Sequence, residues 1–176
     1  MDHGSGRLFE NLLSAAAGGG GAIEWKLTRP KHEFLAWAVE QCGLLLHGTN
    51  DRTLSELRAA EQTDAVGARV RGVFASPDPL WPLFYAITDH ADARPIRSGC
   101  MHVRTRDRIR RLYFFSVREG AERPWREGAV YLVPRESFRP GPWEAEWISS
   151  ASVKPLARLD VGPEDFPFLD AVLRHP

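Results

Sequence analysis

The sequence predicts an α+β domain built around an antiparallel core. Helical apolar spacing gathers in the first half of the chain, and short strand-like runs fill the second. Turn signals at Asp107, Gly120, Pro124, Gly128 and Pro140-Gly141-Pro142 separate those runs. Helices placed early and strands placed late fit antiparallel pairing better than alternating βαβ units.

Residues 8–17 read as a short helix ended by the glycines at 18–21. Pro30 opens a second helix over 32–41. Its Phe34, Leu35, Ala38 and Val39 share one face, and Gly43 stops it. The apolar run 44–47, closed by Gly48, reads as a buried strand that delivers His47 at its end. Residues 54–61 are expected to form another helix, with Leu54, Leu57 and Ala60 on one side and Thr53 or Asn50 as its cap. A second strand over 72–76 is broken by Pro77-Asp78-Pro79. A helix over 80–88 then carries Trp81, Phe84 and Tyr85, with Pro82 in its first turn, where no amide donor is needed. Strands follow at roughly 101–105, 109–117, 129–134, 144–149 and 153–161, and a last apolar turn at 169–173. Residues 1–30 read as an N-terminal extension and 31–176 as a single domain, without internal repeats.

A chain of 176 residues suffices for one domain with a well-filled core. A hydrophobic fraction of 43% and a charged fraction of 26% are those of an ordinary globular protein. Twenty-three basic and 23 acidic residues cancel, which argues against strong sequence-independent binding to nucleic acid and leaves room only for a local patch. Cys42 and Cys100 lie in no metal-ligand spacing and read as reduced thiols; no metal is expected. Neither a secretion signal nor a membrane span is expected, so the expected location is cytoplasmic.

Three short motifs carry chemistry. In Leu45-Leu46-His47-Gly48-Thr49 a histidine ends a strand, and a glycine beside it exposes backbone groups without side-chain obstruction. Gly72-Val73-Phe74-Ala75-Ser76 is followed by Tyr85, eleven residues after Phe74. Glu146-Trp147-Ile148 precedes Val153. In this order the three motifs resemble those of the diphtheria-toxin-like branch of the ADP-ribosyltransferases, which includes the poly(ADP-ribose) polymerases. The motifs there are a strand ending His-Gly-Ser or His-Gly-Thr, a Gly-hydrophobic-Tyr-Phe-Ala strand with a later helical tyrosine, and a strand led by Glu-Tyr-Ile. The chain departs from that pattern at Phe74, which stands where the strand tyrosine is usual.

The resemblance implies a split antiparallel β core with N-terminal helices, and NAD⁺ as co-substrate. It implies that Gly48 main-chain groups hold the nicotinamide carboxamide, that His47 bonds the adenosine ribose, and that Phe74 and Tyr85 sandwich the nicotinamide ring. Thr49 completes the first motif, and Ser76 is either an additional contact or a turn residue. Glu146 is the implied catalytic carboxylate; Glu144, two residues earlier on the same strand face, is its rival. The implied activity is transfer of ADP-ribose to a macromolecule, as in a toxin or defence effector that an antitoxin would restrain. NAD⁺ glycohydrolysis and a non-catalytic NAD⁺- or ADP-ribose-binding module are the alternatives, and Phe74 bears on the last of these. An RNA 2′-phosphotransferase shares the broad fold and ranks lower.

The remaining conspicuous feature is arginine. Arg104, Arg106, Arg108 and Arg110 alternate, and would share one face of an unbroken strand or cluster at a hairpin tip if Asp107 turns the chain. Such a ribbon is either a solvated surface or a grip on phosphates, of a nucleic-acid acceptor or of the NAD⁺ pyrophosphate.

Overall fold

A computed structural model describes residues 3–18 and 21–176, with side chains described from residue 6 onward except Gly18. Gly19 and Gly20 of the expected helix stop lie outside the described residues. Among the described residues, three α-helices and ten strands make a mixed α+β fold in which most of the strand pairs are antiparallel.

Helix α1 (His3–Gly18) places Phe9 edge-on to Phe34 of α2 (Lys31–Cys42) and against Trp37. Pro30 precedes α2, and Gly43 ends it in the left-handed conformation, where its amide bonds the Val39 carbonyl. Phe9, Ala16 and Ile23 belong to the same buried cluster as Phe34, Leu46 and Phe84, so these residues before α2 share the main core.

Strand β1 (Leu44–Thr49) runs through Gly48 rather than stopping there. It pairs with β6 (Gly128–Pro134), and β6 in turn pairs with β9 (Ala157–Val161). A second sheet joins β2 (Ala60–Thr63), β3 (Arg69–Ala75), β8 (Trp147–Ser149) and the short β7 (Arg139–Pro140), in the order β2-β3-β8-β7. A third contains β4 (Arg97–Arg104), β5 (Ile109–Arg118) and the C-terminal β10 (Leu173–His175), which runs parallel to β5. Helix α3 (Leu80–Ile87) packs across β1 and β6. A Cβ on Gly48 would overlap the Pro82 carbonyl, and one on Gly128 would overlap the Ala86 carbonyl, so these two glycines let the helix backbone lie against the sheet.

The expected helix over 54–61 is absent. Asp51 accepts the Thr53 amide at 2.8 Å in a local turn, Leu54 donates its amide to the Tyr131 hydroxyl, and Leu57 pairs with Val153. From Ala60 the chain becomes β2 against β3. Backbone partners distant in the sequence override a helical pattern of three apolar residues, and the side chain of Asn50 serves the far end of α3 by donating to the Ala86 and Thr88 carbonyls. The strand expected over 144–149 is also shorter. Residues 143–146 form a turn in which Glu146 donates its amide to the Trp143 carbonyl and accepts that of Gly141.

Candidate functional site

The two main sheets share a buried core and, among the described residues, one backbone bridge. Leu46 and Ser76 exchange backbone hydrogen bonds of 2.9 and 2.8 Å, tying β1 to the end of β3. Continued for two residues, that antiparallel register would pair Gly48 with Phe74. It does not continue: the imidazole of His47 enters the gap, and its Nδ1 lies 2.7 Å from the Phe74 carbonyl oxygen. Alternation along β1 turns the Gly48 amide and carbonyl the same way as those of Leu46, away from β6 and toward this split. Among the described residues no strand runs beside Gly48 on that side. The face of Gly48 itself is covered by Pro82. A backbone donor and acceptor are thereby presented at the mouth of the split, with the helix as a wall.

A carbonyl oxygen can only accept, so Nδ1 of His47 carries the proton and Nε2 is left as an acceptor. Burial lowers the His47 pKa, an effect the Phe74 carbonyl only partly offsets, and the ring is neutral at physiological pH. Neutral histidine with a fixed tautomer suits a hydroxyl donor better than an anion.

Glu146 stands at the head of β8, one residue before Trp147, which is opposite Ala75 of β3. In the sheet order β3 lies beside β8, and the Leu46–Ser76 bridge joins the end of β3 to β1. The Ala65 amide, from the β2–β3 turn, donates to Glu146 Oε2 at 3.0 Å. Glu146 Oε1 is buried and has no hydrogen-bond partner among the described residues. Gly141 packs against it so closely that a Cβ there would lie 2.8 Å from Oε1. Burial raises the Glu146 pKa; the Ala65 amide opposes this and nearby Asp64 adds to it.

Phe74 is half-buried on the same strand. Tyr85 is half-buried too, but its ring stacks on His90, with centroids 5.9 Å apart, and its hydroxyl lies 3.4 Å from Ser98 Oγ. No ring contact joins Tyr85 to Phe74. Ser76 and Thr49 are engaged in local turns: Ser76 Oγ accepts the Asp78 amide and Thr49 Oγ1 accepts that of Asp51. The first and second motifs meet through His47 and Phe74, Tyr85 lies on the covering helix, and Glu146 of the third motif is held by the β2–β3 turn and Gly141.

Glu144 has other neighbours. Its Oε1 lies 3.1 Å from His102 Nε2 and 3.7 Å from Arg111, whose guanidinium also reaches buried Asp78 at 3.6 Å. The Tyr113 hydroxyl donates to Asp78 at 2.5 Å, and burial and this bond raise its pKa well above the ordinary phenol range. This network latches β4 and β5 to the turns that precede α3 and β8. Sequence reading passed over Asp78, Tyr113 and the Ala65 amide, since nothing local marks them: Asp78 appears only as a turn residue between two prolines.

Arg104, Arg106, Arg108 and Arg110 do cluster at a hairpin tip. The Thr105 amide bonds the Arg108 carbonyl across the turn at Asp107, and all four arginines are exposed. Among the described residues, no His, Cys, Asp and Glu side chains group as metal ligands would, and no helix is long and apolar enough to cross a membrane. Searches against family models, curated proteins and solved structures find no match to this chain.

Proposed function

We propose that this chain is an NAD⁺-dependent ADP-ribosyltransferase with an ADP-ribosyltransferase-like split core, which breaks the nicotinamide–ribose bond and passes ADP-ribose to a macromolecule. The observation that carries the proposal is the split between β1 and β3, where the Gly48 amide and carbonyl, without a strand partner on that side among the described residues, lie beside a neutral His47. A carboxamide has a matching donor and acceptor for Gly48. His47 Nε2 suits a ribose hydroxyl, and Phe74 and Tyr85 supply aromatic faces for a flat ring. Glu146 Oε1, buried without a hydrogen-bond partner among the described residues, suits the 2′-hydroxyl of the nicotinamide ribose. An anion at that point also stabilises the positive charge that develops on the sugar as its bonding pair leaves with nicotinamide. The acceptor nucleophile then forms the new bond to the same carbon and gives up its proton.

Two features favour the second reading, an NAD⁺- or ADP-ribose-binding module without chemistry. Phe74 lacks the hydroxyl usual at its position in the resembled family, and Glu146 is already held by the Ala65 amide. NAD⁺ labelled on its adenine side, incubated with the protein and cell extract, separates the readings. Released nicotinamide with label retained on a macromolecule supports transfer. Release without retained label points to glycohydrolysis. NAD⁺-dependent stabilisation without any release points to the module. In the transferase, Glu146→Gln lowers nicotinamide release by about 10²–10³-fold, whereas Glu144→Gln stays within a few-fold of the parent. The reverse pattern would assign the chemistry to Glu144 and overturn the placement of the site.

A further inference from the structure

Past His102 and Arg111, which ion pairs hold to Glu144 and Asp78, the β4–β5 hairpin continues as a two-stranded ribbon. Residues 101–112 are all exposed, and β10 pairs with β5 only over Ser116–Arg118. Such ribbons are marginal in water unless an apolar face is covered. Here that face is bare. Register puts Met101 opposite Leu112, Val103 opposite Arg110 and Gly99 opposite Phe114, so Phe114, Met101, Leu112 and Val103 form one strip. Their exposures run from 37% for Val103 to 65% for Met101.

The other face of β4 is basic. His102 and Arg104 alternate with Met101 and Val103, and an acid of the chain itself, Glu144, already sits against His102. Within 101–112 five arginines face one aspartate, which leaves the rest of this formally neutral chain four charges negative. Strand β4 is also a sheet edge, its only strand partner among the described residues being β5. The Thr105–Arg108 bond turns Thr105 inward, so by alternation His102 and Arg104 point their amides and carbonyls outward.

We propose that the β4 edge docks an extended segment of a partner protein in which apolar and acidic side chains alternate. The segment adds as a strand. Its backbone bonds the free groups of His102 and Arg104, its apolar residues extend the Met101–Val103 strip, and its carboxylates meet His102 and Arg104. A nucleic acid would use the arginines and leave the aliphatic strip uncovered, which is why a protein segment is the better occupant.

The test uses an alternating Val-Glu octapeptide, a control with four valines followed by four glutamates, and a single-stranded RNA of similar length, each with a fluorescent label. The alternating peptide is expected to bind at least about tenfold more tightly than the block control, and to slow deuterium exchange at the His102 and Arg104 amides. Met101→Ser and Arg104→Glu should each weaken it by about tenfold or more. Both side chains are exposed, so the ligand-free melting temperature serves as the check that the variants fold. Equal binding of the two peptides would reduce the surface to charge attraction and overturn the proposal. So would RNA binding tighter than either peptide and indifferent to Met101→Ser.

Discussion

Glu146 is a carboxylate that its surroundings disfavour. Its pKa is raised by burial, so folding favours the protonated form. The unfolded chain ionises near the ordinary 4.5, and the native state loses relative stability as pH rises from there through the elevated native value. Glu146→Gln keeps the acceptor for the Ala65 amide and removes the buried charge. The variant should therefore melt higher than the parent at pH 7, and the difference should shrink toward pH 4; a lower melting temperature at pH 7 would mean that the carboxylate is a stabilising partner instead. His47 shows the complementary case. Its native pKa lies below the ordinary 6.5, so the unfolded chain takes up its proton first as pH falls. Stability is fully present above that value and declines below it until the native pKa is passed. Replacing His47 with Gln should flatten this slope between pH 6.5 and the lower native value, as measured by denaturant titration at several pH values.

At the scale of the element, the approach of α3 to the sheet depends on two residues without side chains. Gly128→Ala would set a methyl into the Ala86 carbonyl, backbone against backbone, where rotamer changes give no relief. It should cost about 1–3 kcal/mol or more by urea denaturation. Gly48→Ala meets Pro82 in the same way, and should in addition disturb the backbone groups at the split. If α3 is the wall of the site, Gly128→Ala weakens NAD⁺-dependent stabilisation less than Gly48→Ala does, although both destabilise the fold.

For the whole molecule, the arm and the core differ in what ordering them contributes. The core buries Phe34, Leu46, Phe84 and Leu132 completely, whereas residues 101–112 bury little on either face. Trypsin at low concentration should cut first among Arg104, Arg106, Arg108, Arg110 and Arg111, as mass spectrometry of the fragments would show. Replacing 103–110 by a two-residue turn should change the melting temperature by no more than a few degrees, because it keeps His102 and Arg111 with their partners and removes no core side chain. Early cleavage within β1 or β6 would instead show that the sheet, and not the arm, is the weak point.

What the chain alone determined is what local chemistry controls. Pro30 and Gly43 bound a helix because one lacks an amide hydrogen and the other tolerates positive φ, and Pro77-Asp78-Pro79 ends a strand for similar reasons. The α+β class, the hairpin at Asp107 and the strand leading into His47 were legible on the same grounds. Residues 54–61 were not, since their helical spacing lost to hydrogen bonds with Tyr131, Val153 and β3, none of them a sequence neighbour. The candidate site divides in the same way. His47, Phe74 and Glu146 could be named from motif order, but the split beside Gly48, the hold of Ala65 on Glu146 and the removal of Glu144 into a network with His102 and Arg111 could not. Each depends on strand register and on groups distant in the chain meeting within a few ångströms, and only packing of the whole fold decides which of them meet.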